Sequence, residues 1–127
     1  MNIFLVEDDP IDRKLLIAVM ESSGHRIFEK DSAEQALEEI KARQPDAILL
    51  DLKLPGMDGL TLARLLKQDP ETRHIPIVAI TAGVESFSQK ASFAAGCDAY
   101  IAKPVDTRKL PAQILTVTSK RVVAGQN

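Results

Sequence analysis

Four groups of polar residues each follow directly on an apolar run: Glu7-Asp8-Asp9, Asp51, Thr81 and Lys103-Pro104. Brought together, the carboxylates would repel one another and raise each other's pKa unless a cation lay between them. Oxygen donors with no histidine or cysteine among them favour a hard cation: Mg²⁺ first, Mn²⁺ as the alternative. Lys103 would add a fixed positive charge and Thr81 a hydroxyl donor. Metal, ammonium and hydroxyl around one carboxylate are the equipment of phosphoryl transfer. The carboxylate is the nucleophile, and the cations offset charge on the phosphoryl oxygens. Singly, each group has an ordinary reading. An acidic run before a helix is a cap with favourable dipole charges, and Asp51 is a loop acid. Lys103 is a surface lysine, and Thr81 is a strand residue of good β propensity. The functional reading rests on all four standing at the same ends of their strands.

The elements that must hold them alternate along the chain. Ile3–Val6, Ala47–Leu50 and Ile77–Ile80 are near-continuous apolar runs, as expected of strands covered on both faces of a parallel sheet. Arg26–Glu29 and Ala99–Ala102 have the mixed polarity of edge strands. Between them lie helices with readable ends. Asp9 caps a helix opening on Pro10, with Ile11, Leu15, Leu16, Val19 and Met20 as its apolar stripe and Gly24 beyond its end. Ser32 and Gln35 form a capping box before Ala36, Leu37 and Ile40, and Pro45 follows the stop. Asp58 caps a helix carrying Leu62, Ala63, Leu65 and Leu66. Ser86 with Gln89 caps a fourth, carrying Ala91, Ala94 and Ala95. A fifth is expected after Asp106 or Thr107, with Pro111 near its first turn, poor helix formers at Thr116-Val117-Thr118 and fraying after Lys120. The pattern predicts an open, doubly wound α/β sheet of five parallel strands with helices on both faces. Sites in such sheets lie beyond the carboxyl ends of the strands.

With 127 residues the chain is the size of one domain, read as residues 1–120 with a short tail at 121–127. It is 45% hydrophobic and 27% charged, with a net charge of −2 and both signs interspersed. That balance carries no footprint for nucleic acid or acidic membranes. No apolar run approaches a membrane span, and no secretory leader precedes the first strand. The single cysteine, Cys97, and the separated His25 and His74 supply neither a disulfide nor a soft-metal site. The expectation is a cytoplasmic domain, monomeric or weakly dimeric. Met1 directly before the first strand reads as a natural start, and a complete chain of this size would act by binding another protein.

Four segments in order resemble the receiver domain of two-component response regulators, the CheY-like family. They are Leu5-Val6-Glu7-Asp8-Asp9, Leu49-Leu50-Asp51-Leu52-Lys53-Leu54-Pro55-Gly56-Met57-Asp58-Gly59, Ile80-Thr81-Ala82 and Gly96-Cys97-Asp98-Ala99-Tyr100-Ile101-Ala102-Lys103-Pro104. The resemblance implies the flavodoxin-like strand order 2-1-3-4-5 and a switch phosphorylated by a sensor histidine kinase or histidine phosphotransfer protein. It makes Asp51 the phosphoacceptor, and Asp51, Asp8 and the Lys53 backbone carbonyl the Mg²⁺ ligands. Glu7, in place of the usual aspartate, would act through a metal-bound water, and Asp9 would remain a cap. Lys103 would pair with phosphoryl oxygens next to a cis bond to Pro104. Thr81 and Tyr100 would move on phosphorylation and reshape the surface of the fourth helix, fifth strand and fifth helix. Ala99 stands where dimerising transcription-factor receivers carry an acid, which argues against that dimer mode. Lys53 and Gly83 would flank the path of hydrolytic water, with Lys53 shielding the phosphoryl group.

Cys97 reads as a small core residue, and His25 and His74 as solvated. Pro10, Ile11 and Lys14 are candidates for the phosphodonor's footprint, although Ile11 equally suits the core. Other classes fit less well. An aspartyl-phosphate hydrolase would need a second acid near Asp51, where Leu52-Lys53 stands, and a substrate cap. A phosphorylation-independent pseudo-receiver adaptor would lack a rim residue, and a flavin carrier would need a phosphate loop where three acids stand.

Overall fold

A computed structural model describes residues 1–82 and 89–126, the side chains of 120–126 excepted. Strands and helices alternate as β1 (Asn2–Val6), α1 (Pro10–Ser22), β2 (Arg26–Lys30), α2 (Ala33–Arg43), β3 (Ala47–Asp51), α3 (Gly59–Gln68), β4 (Ile77–Thr81), α4 (Gln89–Ala94), β5 (Ala99–Ala102) and α5 (Leu110–Gln126). All strand pairings are parallel, in the order β2-β1-β3-β4-β5. Every residue of β3 and β4 is buried, which explains their unbroken hydrophobicity: helices cover both faces. The edges β2 and β5 are only partly buried, Ile101 alone among their residues being fully so.

Alternate strand residues feed two core layers. On one face Leu16 and Met20 of α1 and Leu110 and Ile114 of α5 pack against Ile3, Leu5, Leu49, Val78 and Ile80. On the other, Ile40 of α2 and Leu62 and Leu66 of α3 pack against Phe4, Val6, Ile48, Leu50 and Ile77. Cys97 joins this second layer, and burial pushes its thiol up to about 12.

The helix starts follow the expected chemistry. Asp9 Oδ1 accepts from the Ile11 amide at 2.8 Å, Ser32 Oγ from Gln35 at 3.3 Å, and Asp58 Oδ1 from Thr61 at 2.8 Å. These carboxylates and hydroxyls satisfy amides that the helix itself leaves unpaired. The proposed Ser86 cap and Gly83 lie outside the described residues.

Four expectations need correction. The α1 stripe is narrower than its apolar residues suggest: Ile11 is 78% and Leu15 47% exposed, while Leu16 and Met20 are buried. Neighbouring helical residues point about 100° apart, so the 11–15–19 and 16–20 rows cannot both face the sheet squarely. In α4, Ser92 is buried and Ala94 is exposed, while Ala95, just past its end, is buried. Ser92 tolerates burial because its hydroxyl donates to the Gln89 carbonyl at 2.9 Å. Helix α5 begins at Leu110, because Asp106 organises a preceding turn in which its carboxylate accepts from the Arg108 amide at 3.0 Å. Pro111 therefore sits in the first turn, where no amide is needed, and the backbone continues helical past Lys120. His25 is half-buried, with Nδ1 3.0 Å from the N-terminal ammonium. Burial, and then that positive charge, lower its pKa.

Candidate functional site

Strand register assembles the rim. Val6 pairs with Leu50, Asp51 with Ile80, and Thr81 with Ala102. The next residues along β1 and β5 are therefore drawn to the same edge as Asp51 and Thr81. Glu7, Asp51 and Thr81 are buried there and Asp8 is exposed. At this rim lies a cleft of about 500 Å³ lined by Asp8, Asp9, Asp12, Asp51, Lys53 and Lys103, with Leu54, Pro55 and Ala82.

Lys103 is the hub. Its Nζ lies 2.5 Å from Glu7 Oε1, 3.0 Å from Asp12 Oδ2 and 3.1 Å from Asp51 Oδ2. The other Asp51 oxygen, Oδ1, accepts from the Lys53 amide at 3.0 Å, so the carboxylate is held at both ends. The bond from Lys103 to Pro104 is cis. Burial alone would lower the Lys103 pKa; hydrogen bonds to Glu7 and Asp12 and the charges of Asp51 and Glu7 outweigh it and raise it. Burial, followed by the neighbouring Asp51 carboxylate, pushes Glu7 up to about 8 against the pull of Lys103.

Two buried polar atoms have no hydrogen-bond partner among the described residues: Glu7 Oε2 and Thr81 Oγ1. A buried carboxylate oxygen without a partner is costly unless it carries a proton or meets a cation. Glu7, Asp8 and Asp51 each offer a carboxylate oxygen, all within 4.8 Å of one another. This hard-oxygen donor set suits Mg²⁺.

The expected residues thus converge, with differences in detail. Asp9 lines the cleft while capping α1, and Lys53 is exposed along its wall. Tyr100 is half-buried against the α2–α3 core layer. Glu7 contacts Lys103 directly. Sequence reasoning missed Asp12, whose only signal is its place in the first turn of α1, one turn beyond Asp8. It also missed Arg13, which donates to the Glu7 carbonyl at 3.1 Å, and Glu34, whose carboxylate accepts from the Met57 amide at 2.7 Å. That last bond ties α2 to the loop between Lys53 and Asp58 and holds the Glu34 carboxyl below its ordinary pKa.

The chain is similar to known proteins in sequence and in fold. The sequence model of the response regulator receiver domain family matches residues 3–115. The polar-differentiation response regulator DivK of Brucella ovis is 36% identical over 118 residues, 93% of this chain and 94% of that protein. The receiver domain of a sensor histidine kinase from Pseudomonas aeruginosa PAO1, solved with magnesium coordinated in its active-site cleft, superposes with a TM-score of 0.86 at 30% identity. That superposition covers 93% of this chain and 97% of that one. A CheY-like receiver domain protein from Methanospirillum hungatei gives a TM-score of 0.89 at 25% identity, covering 97% of each chain. With its acidic rim, doubly wound fold and match across nearly all of its length, the chain belongs to the response regulator receiver domain family: a signalling module of two-component systems rather than an enzyme of small-metabolite turnover.

Proposed function

We propose that Asp51 accepts the phosphoryl group. The observation that carries this is its carboxylate, buried at the rim and held between the Lys103 ammonium at 3.1 Å and the Lys53 amide at 3.0 Å beside the acidic cluster. An Asp51 oxygen bonds to the phosphorus of a phosphohistidine as the P–N bond breaks, and the imidazole nitrogen keeps the electron pair. Lys103 offsets charge on the phosphoryl oxygens. Asp51, Asp8 and the Lys53 carbonyl would hold Mg²⁺ or Mn²⁺, with Glu7 reaching it through a water. When bound, the cation supplies positive charge that neutralises both the acceptor carboxylates and the incoming phosphoryl group. Thr81, whose buried hydroxyl has no partner among the described residues, donates to the phosphoryl group. Tyr100 follows it inward, altering the α4–β5–α5 surface by shifting a two-state balance.

The donor is a sensor histidine kinase or histidine phosphotransfer protein, meeting the protein in the cytoplasm. Pro10, Ile11 and Lys14 of α1 are exposed beside the cleft and form part of its footprint. The downstream target is a protein rather than nucleic acid or membrane, and the switch is a monomer or weak dimer. Among the described residues no helix is long and apolar enough to cross a membrane.

Incubation with acetyl phosphate, followed by intact mass measurement, tests the assignment. The expected result is a Mg²⁺-dependent gain of one phosphoryl group that Asp51→Asn abolishes. Well-folded protein that takes up none would instead be a phosphorylation-independent adaptor.

A further inference from the structure

A second cavity, about 340 Å³, lies beside the acidic cleft and is lined by Asp12, Leu15, Leu16, Lys103, Pro104 and Val105. Of the residues lining the two cavities, only Asp12 and Lys103 are common to both. Their ion pair, 3.0 Å from Nζ to Oδ2, is the partition between the acidic cleft and a mainly apolar groove.

An ammonium has three protons to donate. Those of Lys103 face three carboxylates, Glu7, Asp12 and Asp51. Its donor capacity is therefore used up, and phosphoryl oxygens on Asp51 can claim more of Lys103 than the proton Asp51 already holds only if another acid yields. Glu7 is 1% exposed, so releasing it would strand a buried polar oxygen. Asp51 passes its own share of Lys103 to the phosphoryl group it carries. The Asp12 side chain is 38% exposed, on the first turn of α1, and water can replace the ammonium there at little cost.

We propose that Asp12 is a positioning residue acting through Lys103: it occupies the third ammonium proton in the unphosphorylated protein, competes with the phosphoryl group for it, and on yielding unpins α1 from the segment after β5. Occupancy of Asp51 is then felt in the groove formed by Leu15, Pro104 and Val105. This inference rests on Asp51 being the acceptor.

The test uses Asp12→Ala and Asp12→Glu in the full chain at saturating Mg²⁺, so that the lost rim charge does not act through cation affinity. With acetyl phosphate, an Asp51 oxygen bonds to phosphorus while acetate leaves with the electron pair of the broken P–O bond. Asp12→Ala is expected to raise the phosphorylation rate roughly three- to fivefold, and Asp12→Glu to return it toward wild type. The second measurement follows the Leu15 and Val105 amide resonances on adding beryllium trifluoride, a phosphoryl mimic. They are expected to shift in wild type and to shift less in Asp12→Ala. An Asp12→Ala protein of unchanged circular dichroism that is phosphorylated no faster than wild type would overturn the proposal. So would Leu15 and Val105 resonances that ignore beryllium trifluoride in wild type. If wild type itself takes up no phosphate, the acceptor assignment fails instead.

Discussion

Among the described residues, Glu7 carries a sharp electrostatic conflict. It is 1% exposed, bonded to Lys103 through one oxygen, and without a partner among the described residues at the other. In the metal-free protein, burial and Asp51 keep its proton on to about pH 8, against 4.5 for the ordinary glutamate. Between those values the folded state binds more protons than the unfolded chain, so this group's contribution is complete below pH 4.5 and is lost as pH rises through about 8. The slope is at most ~1.4 kcal/mol per pH unit. Denaturant titrations in chelator should show the difference between wild type and Glu7→Gln growing across this window, with wild type losing stability faster. Mg²⁺ should restore wild type at pH 8, because a cation stabilises the ionised cluster. Identical pH slopes for the two proteins would refute this account. Asp51, Thr81 and Lys103 were legible in the sequence because each ends or follows a recognisable apolar strand. Asp12 was not. An acid in a helix's first turn looks like any dipole-favoured surface acid, and its partner lies 91 positions away.

Elements were legible to the extent that their ends carry local chemistry. The Asp9, Ser32 and Asp58 caps depend on residues two or three positions apart, and such contacts are written in the sequence. Which residues of a helix meet the sheet is a different matter, as the exposed Ile11 and Leu15 show. Gly59, the first residue of α3, separates local from tertiary reasoning most cleanly. Helix propensity alone would have Gly59→Ala stabilise α3 by up to ~1 kcal/mol. A Cβ there would instead stand 2.5 Å from the Asp51 carbonyl oxygen and 2.6 Å from Leu52 Cα. Both are backbone atoms of the segment that presents Asp51, and they cannot move cheaply. Gly59→Ala should therefore lose about 1–3 kcal/mol in chemical denaturation and slow phosphorylation by acetyl phosphate. A variant as stable as wild type would show that this backbone approach is not tight.

At the scale of the whole molecule, the role proposed for the exposed row of α1 depends on where the sheet puts it. Ile11 contributes little to the core, so Ile11→Ala should change stability by no more than ~0.5 kcal/mol. It neighbours Asp12, which lines the acidic cleft, and an apolar side chain at the centre of a contact can dominate binding. Transfer from a phosphohistidine donor should therefore fall about tenfold in kcat/KM in Ile11→Ala, while the acetyl phosphate rate holds. Equal loss with both donors would place Ile11 in the chemistry, and loss with neither would remove it from the footprint.

The sequence by itself determined the alternation of strands and helices, the central and edge strands, the helix caps and the polar residues that end the strands. Each of these follows from periodicity or from contacts within one turn. Its family resemblance supplied the strand order. Only the tertiary structure decided that Lys103 is shared among Glu7, Asp12 and Asp51, that Glu7 keeps an oxygen with no partner among the described residues, and that Ile11 faces outward. These depend on strand register and helix rotation. Both are set by packing between segments far apart in the chain, and neither leaves a local mark on the residues it brings together.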